Sequence, residues 1–74
     1  MTPEETARFR EWQIGRGYAE ATATSRATVV RRLHDVGVTD PEDVDGAYPN
    51  FRRETRCVYR GALRAYDDFL KAVA

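Results

Sequence analysis

Apolar positions recur along this chain at intervals of three and four, and nowhere in strict alternation. That spacing belongs to amphipathic helices and not to strands. The longest such stretch runs from Asn50 to Val73. Wound at about 100° per residue, it places Thr55, Val58, Ala62, Tyr66, Phe69 and Val73 on one side. Arg53, Arg56, Arg60 and Arg64 fall on the opposite side, where a helix buried along the first face meets solvent.

A first helix, near 3–15, is announced by Thr2 three residues before Glu5, a capping box, with Pro3 at the first helical position. Phe9 and Trp12 share one of its faces, and Gly15-Arg16-Gly17 should end it. A second helix, near 19–36, follows Tyr18. Its buried stripe is Ala23, Ala27, Val30 and Leu33, with Val29 on the flank, and Gly37 stops it. Thr24, Ser25, Thr28, Arg31 and Arg32 face away, while Arg26 sits inside the stripe and must snorkel its head out. Asp40 caps and Pro41 opens a short helix near 41–45, with Val38 and Val44 tucked into the core. Tyr48 precedes a proline and is therefore extended, and Asn50 caps the last helix. The pattern predicts one all-α domain over 1–74, a small bundle of three main helices plus one short helix.

Composition narrows the function. A chain of 74 residues hides only about 60–65 % of its unfolded surface, so it depends on good packing. The single Cys57 forms no internal disulfide, and Cys57 with His34 makes no structural zinc site. The acids at 40–45 lack the glycine and final glutamate of a calcium loop. Gly15-x-Gly17 follows no strand and is no phosphate loop. His34 has no nucleophile in a recognisable motif, so no catalytic residue, metal or cofactor is expected. Nor is a small-molecule substrate. No apolar run reaches the length of a membrane span, and the acidic start lacks a signal-peptide core, so a cytoplasmic protein is expected.

Net charge is zero, yet charge is segregated. Asp35, Asp40, Glu42, Asp43 and Asp45 crowd 35–45 with no base among them, whereas Arg52, Arg53, Arg56, Arg60 and Arg64 face only Glu54 across 52–64. Like charges at i,i+4 repel by a few tenths of a kcal/mol per pair, and a phosphate backbone is the first partner that would offset that cost. All the basic residues but Lys71 are arginine, the better bidentate phosphate ligand.

Four segments carry a family resemblance. They are Phe9-Arg10-Glu11-Trp12, Gly17-Tyr18-Ala19-Glu20-Ala21-Thr22, Val30-Arg31-Arg32-Leu33, and the run from Tyr59 to Leu70. Together, over roughly 9–70, they resemble the N-terminal core-binding domain of tyrosine recombinases, the SAM-like helical domain of phage integrases. The resemblance implies binding to double-stranded DNA as half of a clamp, with the second and last helices on the duplex. Carried onto this chain, Thr22 with its neighbours Thr24 and Ser25 would touch phosphates, and Arg60 and Arg64 would lie on the DNA side. The helical wheel adds Arg53 and Arg56, and Arg31 and Arg32 complete the basic set. The chain departs from the family in its stunted third helix, in Arg26 where an aromatic is usual, and in lacking the family's catalytic residues. The implied role is therefore DNA binding without strand cleavage, as a recombinase fragment paired with a catalytic domain or as a free-standing relative. A different class is a protein-interaction module that self-associates, acidic 35–45 of one copy meeting basic 52–64 of another.

Overall fold

The computed structural model describes residues 1–74. Helix α1 spans Pro3–Gly15, α2 Glu20–Asp35 and α4 Arg53–Val73; between the last two, a 3-10 turn at Pro41–Asp43 runs into a single helical turn, α3, at Val44–Ala47. The chain is an all-α bundle of three main helices and one short one, without strands. Its longest dimension, 34 Å, is about the length of α4 itself at about 1.5 Å rise per residue.

Local chemistry sets the helix ends. Thr2 Oγ1 accepts from the Glu5 amide at 3.1 Å, and the same hydroxyl donates to the Glu5 carboxylate at 3.2 Å. Helices α1 and α2 end alike. Gly17 and Gly37 take φ +95° and +83°, conformations that cost a Cβ-bearing residue. The next amides, of Tyr18 and Val38, then bond back to the carbonyls of Gln13 and Leu33. Asp40 Oδ1 caps the 3-10 turn through the Glu42 amide at 2.9 Å.

The core is Phe9, Ala23, Ala27, Val30, Leu33, Val38, Val44, Ala62, Leu63, Tyr66 and Phe69. The α2 stripe, Val38 and Val44 are where periodicity puts them. Phe9 is its hub, edge-on to Tyr66 with ring centroids 5.1 Å apart and tilted on Phe69 at 5.6 Å. Trp12 lies half-buried against Phe69. Gln13, fully buried, donates its side-chain amide to the Ala23 carbonyl at 3.2 Å and so ties α1 to α2.

Two expectations are corrected. Asn50 does not cap the last helix, which starts three residues later with Arg52 at the cap and no side-chain cap bond. Residues 48–51 instead turn, the Phe51 amide bonding the Tyr48 carbonyl, so that Tyr48 and Phe51 stack on each other and on Tyr59. The mutual packing of these three rings takes the place of one more turn of helix. Second, the buried face of α4 is rotated toward its arginines: Leu63 is 0 % exposed while Val58 is 54 % and Val73 59 % exposed. The 3-10 turn and α3 pack against α4, and Val44 of α3 shares the core cluster with Leu63, whereas Val58 lies outside it. His34 lies half-buried in the last turn of α2. Its ring stands edge-on to Tyr66 at 5.2 Å, and its pKa is lowered. Desolvation is the main cause and the chain's amino terminus adds to it, against Asp67, Glu5 and Asp35. Tyr66 is pushed up by the same burial and by Glu5.

Candidate nucleic-acid interface

The arginines of α4 do not form one solvent-facing line. Arg53 and Arg64 are exposed and make no ion pair. Arg56 and Arg60 are turned against α3, where the Nη1 atoms of both donate to Asp45 Oδ1, at 3.3 and 2.5 Å. Their side chains are only 26 % and 21 % exposed. The expectation that all four guanidiniums project freely from the helix is therefore corrected for these two. The cause is the rotation that buries Leu63, which brings this edge of α4 against α3. Arg60 also places Nη2 3.0 Å from the sulfur of exposed Cys57, and Arg56 Nε is buried without a partner.

Helix α2 divides its expected contact residues between two sides. Thr22 and Ser25, both exposed, line an open groove with Arg26, facing Cys57, Val58 and Gly61 of α4. The absence of a side chain at Gly61 helps to keep this groove open. Arg26 snorkels as its position requires, its guanidinium 4.6 Å above the Tyr18 ring. Thr24 turns the other way, toward α1, and its hydroxyl accepts from Arg10 Nε at 2.8 Å. Arg31 and Arg32 are exposed and unpaired. With Thr6, Thr28 and Asp35 they line a polar cleft between the start of α1 and the end of α2. Both hydroxyls there donate to backbone carbonyls one turn earlier.

The structure thus joins Thr22 and Ser25 to α4 across one groove and keeps Thr24, Arg31 and Arg32 off it. Two participants were not legible in the sequence as such. Asp45 reads as a loop acid near a short helix, yet it engages two arginines 11 and 15 residues away. Arg10 reads as one more surface base, yet it bonds Thr24, Glu11 and Glu20 together. The only available signal for Asp45 was the segregation of acidic 35–45 from basic 52–64, and for Arg10 there was none.

No three His, Cys, Asp or Glu side chains converge as a metal site would need, and no helix is long and apolar enough to cross a membrane. The groove between α2 and α4 offers the hydroxyls of Thr22 and Ser25 and one guanidinium, Arg26, while Arg53 and Arg64 stand exposed elsewhere on α4. Comparisons with protein-family models, with curated proteins and with solved structures return no match.

Proposed function

We propose that this chain is a non-catalytic module that binds double-stranded DNA in the manner of a recombinase core-binding domain, gripping phosphates along α4 and the start of α2. The observation that carries the reading is the pair Arg53 and Arg64, exposed and unpaired on the outer side of a helix whose other face is core. They stand three turns apart, about 16 Å along the axis. That is too far to share one phosphate and suits separate phosphates of a backbone. The hydroxyls of Thr22 and Ser25 across the groove supply neutral donors of the kind that fix register on a duplex. Arg31 and Arg32, off that groove, fit a second stretch of backbone. A separate recombinase-type catalytic domain would form the other half of such a clamp.

The test is fluorescence anisotropy of a labelled duplex at about 50 and 200 mM salt, with wild type and Arg53→Glu/Arg64→Glu. Wild-type affinity should fall steeply with salt, as counterion release requires, and the double variant should bind at least about tenfold more weakly, roughly 1.4 kcal/mol. Both positions are exposed, so helical circular dichroism should not change. A variant that binds like wild type would refute the assignment of this face. Head-to-tail self-association through 35–45 and 52–64 is the weaker reading, because Asp45, Arg56 and Arg60 already pair within one chain.

A further inference from the structure

Asp45 is the sole carboxylate facing two arginines. Both guanidiniums converge on its Oδ1, while Arg60 Nη2 settles for a sulfur, a weak acceptor, and Arg56 Nε has no partner. Donors therefore outnumber good acceptors at this spot. The carboxylate itself is 57 % exposed, far more than either arginine it holds. It lies on α3, a single turn of four residues. The two guanidiniums are already partly desolvated and held together, and what they lack is a second pair of oxygens.

We propose that Asp45 is a built-in competitor for the phosphates of the bound duplex, a carboxylate standing where a phosphate oxygen would sit on Arg56 and Arg60. The inference rests on the DNA-binding reading and adds a regulatory contact to it. A phosphate diester offers anionic oxygens of the same charge-assisted kind, in greater number, to donors that Asp45 leaves unfilled. In the free protein the clasp withholds two arginines, so that on the body of α4 a non-specific polyanion meets Arg53 and Arg64 but not Arg56 and Arg60. On a duplex seated by those two, phosphate displaces the carboxylate and the remaining arginines engage. The cost is electrostatic: Asp45 is left beside a phosphate, and affinity is held below what the arginines alone would give.

The experiment compares Asp45→Asn with Asp43→Asn on the same labelled duplex and on a heparin column. Asp43 is exposed and holds no side-chain partner, so its substitution makes the same change in net charge without opening the clasp. Asp45→Asn should tighten duplex binding by roughly five- to tenfold at about 50 mM salt and steepen the log–log salt dependence by about one to two, as one or two added phosphate contacts require. Asp43→Asn should change affinity by less than about twofold, the size of a screened long-range effect. In an Arg56→Gln/Arg60→Gln background, Asp45→Asn should lose its excess over Asp43→Asn. Equal gains from the two acid substitutions, or weaker binding by Asp45→Asn, would overturn the inference; the latter would make Asp45 an organiser of the arginines. If no form binds duplex yet Asp45→Asn alone elutes later from heparin, the competition stands for polyanions and the DNA reading falls. If neither duplex nor heparin separates Asp45→Asn from Asp43→Asn, the competition falls, whatever the wild type binds.

Discussion

Arg10 and Asp45 sit at the centres of two polar clusters with opposite stoichiometry. Arg10 faces Thr24, Glu11 and Glu20, and its Nε, Nη1 and Nη2 each find an oxygen at 2.7 to 2.9 Å. Asp45 faces Arg56 and Arg60 with one oxygen, and a buried Nε beside it stays unpaired. A base surrounded by acceptors sets every nitrogen on an oxygen and becomes a staple, here between α1 and the first turns of α2. An acid surrounded by bases leaves donors over. The first cluster carries a net negative charge and the second a net positive one, so only the second has reason to meet an anion. Ion pairs of comparable length therefore form a structural joint in one place and, in the other, the anion-competing contact proposed above.

The hardest blow to this contrast would come from the core beneath it. Leu63→Ala empties a fully buried position on α4, between the arginine edge and the flank covered by α3. It should cost about 2–5 kcal/mol, a large share of what a domain this small possesses, read as a lower urea midpoint. A loss under about 1 kcal/mol would mean that α4 is not anchored as described, and the clasp geometry would fall with it.

A smaller effect separates the two clusters directly. Arg10→Ala removes three bonds and leaves two acids without their base. It should cost about 1 kcal/mol, toward the upper end for exposed pairs. Asp45→Asn keeps an amide oxygen for the arginines and relieves little else, so it should stay within about 0.5 kcal/mol of wild type. Urea unfolding of both variants measures this, and equal losses would erase the distinction between staple and clasp. Arg10→Ala should also leave duplex binding within about twofold, since its three nitrogens are already engaged by Thr24, Glu11 and Glu20.

The smallest effect is a pH dependence that belongs to the core alone. His34 has a lowered pKa in the folded state, chiefly from burial. The unfolded chain then binds a proton at higher pH than the folded chain does. Stability should accordingly be complete above about pH 7, and fall as pH drops through the ordinary histidine value near 6.5 and on through the lower folded value. His34→Gln should flatten the urea midpoint between about pH 7.5 and 5.5, above the range where carboxylates titrate. A slope that survives the substitution would locate the titrating group elsewhere.

Much of this architecture was legible residue by residue. Thr2 with Glu5, Gly17, Gly37, and Asp40 with Pro41 mark helix ends through bonds that close within a few residues. The stripe Ala23, Ala27, Val30, Leu33 follows from period alone, and all of it is buried. The last helix was harder. Its wheel located Ala62, Tyr66 and Phe69 but missed Leu63 and overcounted Val58 and Val73. A wheel assumes one buried side centred on the apolar average, whereas α4 is packed from two directions. Asn50, a good cap by type, lost to ring packing among Tyr48, Phe51 and Tyr59.

The candidate surface was legible only as a list of charges. Sequence determined that arginines would line one edge of α4 and that hydroxyls would mark the start of α2, because helical period depends on neighbours three and four residues away. Which arginines stay free was decided by tertiary structure. Arg56 and Arg60 are withheld by an acid 11 and 15 residues distant, and Thr24 is held by a base 14 residues distant. Ion pairs depend on through-space distance, and distance between separate helices is set by how the core packs, not by the local run of the chain.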